Sequence, residues 1–498
     1  MMRRLLPILL AAVALSACNV GPDYKKPETP LPAAFAEPRP ALPAAAQSDL
    51  SKWWTVFHDP ELDSLVARAL AANLDLQTAA SRVRQAREQA IIAGAAEWPS
   101  LSATGLGLNL HSNSNPLGQL AGGAPGGSAA SAGEAASAPT NIKVYSAGFD
   151  ATWEIDLFGG TRRAVEAAKA NTEAALWELH DGEVTLSAEI ANDYLNLRAA
   201  QARIALLNAE LKDERQLFDL VRARANAGFV TELDVNQQKA VVSNAEAQIP
   251  ELDATARAAI HALAVLLAEP PESMNGELAA AQPIPESPPA LPATLPSDLL
   301  RRRPDIREAE RKLAAATAQE GVAIADLYPK IDLIGATSFT GDTLSGLFST
   351  RNFGTVGIGT IRWPIFEAGK IHANIRANKE AELQAYFSYR KAVLGALQDV
   401  EDALARYDDE TRHERALATE VNAAASSEAI ARRQYTGGLV TFVNVLSAET
   451  TLLSARDQLI QSRQALAQDI GALYKALGGG WDETSVNWKT SPPNPENG

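Results

Sequence analysis

Two long stretches of the chain can hardly fold as anything other than helices. Residues 161–227 contain no proline and one glycine, Gly182, and residues 371–436 again contain no proline and one glycine, Gly395. Both stretches are rich in Ala, Leu, Gln, Glu and Arg, which are strong helix formers. At 1.5 Å per residue each helix could extend about 100 Å. That length exceeds an ordinary domain, so these helices must pack on each other or on other subunits.

Apolar residues recur every seven positions in the helical regions, which predicts seams between helices. A plain amphipathic helix on a single core would give a similar stripe, but the length of the runs favours seams. The two stripes are Ile190, Leu197, Ile204, Leu211 and Phe218, and Leu452, Leu459, Leu466 and Leu473.

The chain also repeats itself. The phrase GFVTELDV at 228–235 recurs as GLVTFVNV at 438–445, and Trp153 matches Trp363 at the same offset. Such order indicates an internal duplication. We predict a first repeat at 53–269, a Pro-rich linker at 270–297, a second repeat at 298–478 and a flexible tail at 479–498. The low-complexity stretch 113–140 is predicted to be a loop insertion.

Each repeated phrase starts with glycine after a long helix and leads into a new apolar helical pattern. This order is typical of the turn in a helical hairpin. We therefore predict hairpin tips at 228–235 and 437–445, with Gly228, Thr231, Gly438 and Thr441 as turn and cap residues.

Four segments alternate apolar and polar residues and are predicted to be strands, at about 100–111, 144–157, 330–340 and 353–365. In the clearest, from Tyr145 to Leu157, the odd positions are apolar and the even ones polar or glycine. A soluble sheet with one face on a core would show the same alternation. Strands of about ten residues with Trp near their ends fit an outer-membrane barrel.

A sheet in a bilayer must be closed, because edge N–H and C=O groups find no partner in hydrocarbon. Single-chain barrels of this type start at eight strands, so four strands predict an oligomer. The segments 113–140 and 341–352 would be outer loops, and the helices would project into the periplasm.

The N-terminus has the layout of a secretory signal. Arg3 and Arg4 precede an apolar run from Leu5 to Leu15, and Ser16-Ala17 lead to Cys18, the only cysteine. The stretch LSAC resembles a bacterial lipobox, which implies cleavage of residues 1–17 and a lipid on Cys18. Asn19 after the cysteine implies sorting to the outer membrane, where outer-membrane lipids would hold the anchor. Residues 18–52 are predicted to be a lipid-anchored linker.

The rest of the composition excludes several function classes. A net charge of −15 without clustered Lys or Arg argues against nucleic acid. The six histidines are scattered, and no phosphate loop or Ser-His-Asp arrangement stands out. We predict no enzyme, no metal and no cofactor besides the covalent lipid.

Several motifs in order resemble the outer-membrane efflux lipoproteins of the TolC and NodT kind, from Cys18 to about Trp481. The resemblance implies a mainly helical fold and a homotrimer, in which four strands per chain close a twelve-stranded barrel above a helical tunnel. It also implies a periplasmic adaptor and an inner-membrane transporter, of the RND type, as partners. The motifs are CNVGPDYKKP at 18–27, NLDLQTAASRVRQARE at 73–88, WEIDLFGG at 153–160, LPSDLLRRRPDIREAERKL at 295–313 and ALGGGW at 476–481.

The resemblance also assigns roles to the hairpin tips, where the tunnel narrows and the adaptor docks. The family often carries acidic residues in a VLDA stretch at the second turn, whereas this chain has Asn444 and Ser447 there. Predicted docking residues are Gly228, Val230, Thr231, Gly438, Val440 and Thr441; predicted aperture-gate residues are Asp234, Asn444, Tyr435 and Arg432, with Arg433 nearby.

The predicted function is the outer-membrane channel of a tripartite efflux pump that exports small molecules. Two alternatives stay open at this point. One is the outer-membrane duct of an ABC-driven type I secretion system. The other is a lipid-anchored coiled-coil structural protein without a pore, which the alternating strand 145–157 disfavours.

Overall fold

The computed structural model describes residues 19–36, 50–112, 140–286 and 296–482. The signal at 1–17, the lipidation residue Cys18 and most of the insertion 113–140 lie outside the described residues. Nine α-helices and four strands fill the described ranges. The helices are α1 (Pro60–Ala72), α2 (Leu74–Ala95), α3 (Gly160–Asn226), α4 (Glu232–Leu266), α5 (Asn275–Leu278), α6 (Pro296–Arg302), α7 (Pro304–Ala325), α8 (Lys370–Thr436) and α9 (Phe442–Ala476).

The two long helices predicted from the absence of proline are confirmed. α3 and α8 each contain 67 residues, and each is followed after a short turn by a helix of 35 residues, α4 or α9. In the parts of the chain that the structure describes, no helix combines the length and apolarity needed to cross a bilayer.

The four predicted strands are also confirmed, as β1 (Ser100–Ser112), β2 (Thr140–Ile155), β3 (Lys330–Gly341) and β4 (Phe353–Arg362). They form one antiparallel sheet in the order β1-β2-β3-β4. β1 and β4 are its edges.

Two of the strands end earlier than their alternation suggested. β2 stops at Ile155 because Asp156 turns to accept a hydrogen bond from the Arg162 backbone N–H at 2.9 Å, at the start of α3. β4 stops at Arg362, and Pro364 just beyond has no N–H to donate to a ladder.

The register separates the side chains of the sheet into two faces. Phe149, Trp153 and Leu333 share one face, because Trp153 lies opposite Leu333. Asp150 and Glu154 lie on the other face. Leu106 belongs with this second, polar face, since its partner across the ladder is Ser146.

The chain divides into two compact units, and each draws on both predicted repeats. The first unit holds the described residues within 19–25, 87–170 and 314–383, and so contains the whole sheet. The second holds the described residues within 26–86, 171–313 and 384–482. The limits of the repeats therefore stay a prediction.

The second unit contains the largest core. Its centre is Trp53, which is fully buried, stacks on Tyr474 with 5.6 Å between ring centroids, and donates from Nε1 to Ser187 Oγ at 3.3 Å. A Cβ at Gly471 would lie 3.2 Å from the indole, so a small residue is needed there. The core reaches α1 through Leu62 and Leu65.

Candidate functional site

The repeated phrases form two turns of the same geometry. α3 ends at Asn226, Gly228 has a φ of +81°, and the Phe229 N–H donates to the Arg224 carbonyl at 2.9 Å. This bond, from a residue five positions further along the chain, closes the helix end as a Schellman turn, which favours glycine at the left-handed position.

The second turn copies the first, 210 positions later. α8 ends at Thr436, Gly438 has a φ of +74°, and the Leu439 N–H donates to the Gln434 carbonyl at 2.8 Å. Both turns therefore depend on one glycine with positive φ.

The helix after each turn starts at a threonine N-cap, but the two caps differ. Asp234 Oδ2 accepts from the Thr231 N–H at 2.8 Å and from Thr231 Oγ1 at 2.9 Å. In the second hairpin Asn444 Nδ2 contacts Thr441 Oγ1 at 3.4 Å instead. A carboxylate near a helix N-terminus is stabilised by the helix dipole, so the first cap is the stronger one.

The turns present apolar side chains to the surface of the described chain. Phe229 is 79% exposed and Leu439 is 78% exposed, at equivalent positions directly after the turn glycine. The predicted docking residues Gly228, Thr231, Gly438 and Thr441 are also exposed. Sequence analysis missed Phe229 and Leu439, although a large apolar residue beside a turn glycine in both repeats is a visible signal.

Val230 and Val440, also predicted to dock, turn inward instead. They pack on a small cluster of buried residues that joins the two turns, which we call the tip cluster and which consists of Leu217, Val221, Tyr435, Phe442 and Val445. The two hairpins of one chain are thus held together at their tips by apolar contact.

Tyr435, a predicted gate residue, is part of this tip cluster. Its side chain is 6% exposed, and the Arg224 guanidinium carbon lies 4.9 Å from its ring centroid. Within the described chain the Tyr435 hydroxyl has no hydrogen-bond partner. In this arrangement Tyr435 acts as a packing residue.

Arg432, the second predicted gate residue on α8, lies next to the tip cluster with its side chain 38% exposed, and it contacts buried carboxyl groups. Its Nη2 lies 2.9 Å from Glu449 Oε1, and its Nε contacts Glu428. Burial, and then the nearby Glu214 carboxyl, raise the pKa of Glu449 to about 8. Burial likewise raises the pKa of Glu214.

The four predicted gate residues thus make separate contacts and, within the described chain, do not contact one another in a single site. Asp234 and Asn444 serve their own caps, Arg432 pairs with Glu449, and Tyr435 packs in the tip cluster. Glu449 and Glu214 were missed by sequence analysis, because neither stands out among the other acidic residues of its helix.

The sheet presents a second candidate surface. β1 pairs only with β2, and β4 pairs only with β3, among the strands of the described residues. Every residue of β4 is exposed. The outer edge of each edge strand therefore carries backbone N–H and C=O groups that have no partner strand among the described residues.

A third feature ties the N-terminal segment to the start of α3. The Val20 N–H donates to the Phe158 carbonyl at 3.1 Å. Arg163, whose side chain is 2% exposed, donates to the Val20 carbonyl at 3.2 Å and pairs with Asp23 at 2.6 Å. We call this arrangement the N-terminal clamp; it holds the chain two residues from Cys18.

Comparison with known proteins agrees with this geometry. The model of the family described as "Outer membrane efflux protein" matches residues 65–269 and 295–479. "Nodulation protein T" of Rhizobium leguminosarum bv. viciae is 33% identical over 89% of this chain and 86% of the relative. "Pyoverdine export outer membrane protein OpmQ" of Pseudomonas aeruginosa is 34% identical over 90% of each chain.

A solved structure resembles the whole fold. The outer-membrane channel OprN superposes with a TM-score of 0.83 at 33% identity, and the match covers 93% of this chain and all of that one. The four-stranded sheet, the long hairpins and the family match over most of the length lead to one conclusion. The chain belongs to the outer membrane efflux protein family, whose members act as outer-membrane channels of tripartite efflux pumps.

Proposed function

We propose that three copies of this chain close a twelve-stranded barrel, which conducts small molecules out of the cell when a periplasmic adaptor docks at the hairpin tips. The observation that carries this proposal is the pair of unpartnered edges, β1 and β4. An open edge is not tolerated in hydrocarbon, and four strands are too few for a closed barrel. Pairing β4 of one copy with β1 of the next satisfies both edges.

The lengths and faces of the strands restrict the register of that seam. β4 has 10 residues and β1 has 13, so β4 can pair along its whole length. Ile358 lies on the polar face, because it pairs with Ile334, which in turn pairs with Thr152. On β1 the same face carries Thr104 and Leu106.

Antiparallel pairing along all of β4, with faces matched, leaves two registers: Ile358 opposite Thr104, or Ile358 opposite Leu106. The second register also sets Val356 opposite Leu108 and so forms two apolar pairs, whereas the first forms one, Val356 opposite Leu106. Apolar cross-strand pairs stabilise a sheet by about 0.2–1 kcal/mol each. We therefore favour Leu106 as the partner of Ile358.

Disulfide trapping tests this seam. The double variant Ile358→Cys and Leu106→Cys should give covalent dimers and trimers on a denaturing gel after mild oxidation in membranes. Ile358→Cys with Gly105→Cys is the matched control, because Gly105 lies on the opposite face. A disulfide between Ile358→Cys and Thr104→Cys instead would indicate the other register, and the proposal of a closed barrel would still hold. If no disulfide forms between copies at any of these positions, closure of the barrel by pairing β4 with β1 is refuted.

The N-terminal clamp supports a lipid on Cys18 and an orientation for the chain. Val20 is bonded beside Phe158, between the end of β2 and the start of α3, so acyl chains on Cys18 would enter the membrane at the helix side of the sheet. The helices then extend into the periplasm. Labelling with an alkyne fatty acid should mark the wild-type chain and not the Cys18→Ser variant; equal labelling would refute the site.

The exposed turn residues support docking of the adaptor at the tips. A photo-crosslinking amino acid at Thr231 or Phe229 should capture a periplasmic adaptor in living cells. The same amino acid at Glu246, an exposed position on α4, is the control for unspecific capture. Loss of capture at both tip positions, from assembled protein, would exclude the tips as the docking surface.

Conduction needs no chemistry from this chain, so we propose that it has no enzymatic activity and no cofactor besides the lipid. Energy would come from an inner-membrane transporter, which we propose to be of the RND type. Small molecules are the proposed cargo, in keeping with the pyoverdine named for OpmQ. Co-purification with the adaptor and transporter tests the assignment; an ABC transporter in the complex would instead support a type I duct.

A further inference from the structure

Four helices converge on one buried polar site next to the tip cluster. α3 contributes Glu214, α4 contributes Gln238, α8 contributes Arg432 and α9 contributes Glu449. The side chains of Glu214 and Glu449 are each 2% exposed, and Gln238 is fully buried. The site therefore lies where the first hairpin meets the second.

The hydrogen bonds of this site are incomplete. Gln238 Nε2 donates to the Glu214 carboxylate, and Arg432 donates to Glu449 Oε1. Within the described residues, Glu449 Oε2 and Gln238 Oε1 are buried and have no partner. A buried acceptor without a donor costs about 1–3 kcal/mol, so a donor is missing here.

The missing donor is best supplied by a proton. The Glu214 and Glu449 carboxyl groups lie within hydrogen-bonding reach of each other. Two ionised carboxylates at that range repel, and neither can donate, whereas one proton between them creates a hydrogen bond.

The surrounding charges do not remove the need for this proton. Glu210 and Asp213 on α3 add negative charge near Glu214. On α8, Arg432 divides its charge between Glu449 and Glu428. A second arginine, Arg456 on α9, contacts Glu210 at 3.7 Å. α4 contributes the neutral Gln238.

We propose that Glu214 and Glu449 form one proton-binding site, and that the bound proton locks the first helical hairpin to the second. When the proton is lost, two buried carboxylates repel each other. The arginine beside them, Arg432, also pairs with Glu428. The hairpins then separate locally at this layer, where solvent can reach both carboxylates.

The direction of the pH dependence follows from the raised pKa. Glu449 titrates at about 8 when packed, against 4.5 for an exposed glutamate. The locked state thus binds the proton that the open state releases. The contribution of the bound proton to the stability of the locked state is complete below pH 4.5 and is lost as pH rises towards 8. The open population should grow up to about tenfold per pH unit in that window and level off above it.

Hydrogen exchange on the full-length protein in lipid nanodiscs tests the proposal. Exchange rates for peptides covering 210–221 and 445–452 are measured from pH 5.5 to 8.5 and corrected for the intrinsic rate of each peptide. The wild type should lose protection steeply as pH rises. Glu449→Gln should remove that dependence, because a neutral amide cannot ionise. Glu214→Gln should reduce it, because burial alone still raises the pKa of Glu449.

Glu246→Gln is the matched control, since Glu246 lies on α4 in an exposed pair with Arg215. It should keep the wild-type profile. A wild-type profile that does not change with pH, or an unchanged slope in both Glu449→Gln and Glu214→Gln, would overturn the proposal. If one of these variants fails to assemble, the other decides.

The consequence for conduction rests on the proposed function. If the tips form the aperture, channel conductance in planar bilayers should increase with pH in the wild type and not in Glu449→Gln. A pH-dependent exchange profile with constant conductance would retain the proton site and reject its link to the aperture.

Discussion

Two adjacent glycines in the second hairpin should respond to the same substitution with opposite signs. Gly438 has a φ of +74°, and a Cβ there would have no atom within 4 Å. The effect of Gly438→Ala is therefore purely conformational. A left-handed alanine costs about 1–2 kcal/mol, of which about 0.4–1 is offset by the lower entropy of the unfolded chain.

Gly437 is different because it still has helical hydrogen bonding, with its N–H donating to the Arg433 carbonyl at 3.2 Å. Its added Cβ would meet that carbonyl oxygen at 3.6 Å, an ordinary contact. Gly437→Ala should stabilise the turn by about 0.4–1 kcal/mol. The first repeat already has alanine, Ala227, at the equivalent position.

Native-state hydrogen exchange of residues 434–446 measures both effects. A net loss of about 1 kcal/mol for Gly438→Ala should speed local exchange roughly fivefold, since 1.4 kcal/mol is tenfold. Gly437→Ala should slow exchange by about two- to fivefold. Equal shifts for the two variants, or no change for Gly438→Ala, would show that the Schellman geometry is not what limits opening of this turn.

Three further substitutions probe the tips. Tyr435→Phe should stabilise the tip cluster by about 1 kcal/mol, because it removes a buried hydroxyl without a partner, and faster exchange in its peptide would contradict this. Phe442→Ala should destabilise the cluster by about 3 kcal/mol, because it leaves a cavity. Val443 is the exposed neighbour of Phe442, and Val443→Ala should change the stability by no more than about 0.5 kcal/mol. The rate of protease cleavage at the turn measures both effects. Asp234→Asn should weaken the first cap by about 0.5–1 kcal/mol and, if Asp234 also faces the aperture, lower the cation preference in bilayer recordings; unchanged recordings would remove it from the gate.

The architecture was accessible from the sequence because its signals are local. Long runs without proline defined α3 and α8, and the alternation from Tyr145 identified β2. The turn glycines Gly228 and Gly438 were found because the phrase occurs twice. The proline-free runs and the alternation involve residues only a few positions apart, and the repeat is found by comparing two stretches of sequence, so none of these signals needs knowledge of the fold.

The gate residues stay a prediction, and their contacts show what the sequence did not predict. The resemblance assigned Arg432 and Tyr435 to the aperture by their positions near a turn. Their partners depend on which helices pack side by side, and the structure pairs Arg432 with Glu449 and buries Tyr435 against Phe442. No pattern near residue 432 predicts either contact.

The sequence by itself determined the helices, the strands, the turns and the need for an oligomer, since periodicity, proline, glycine and strand number act locally or by counting. Only the tertiary structure decided which side chains meet. Glu214 and Glu449 lie in different hairpins, and their proximity follows from the packing of α3 on the neighbouring helices. Burial then changes their chemistry, because a carboxylate removed from water keeps its charge only where cations and donors suffice, and here they do not.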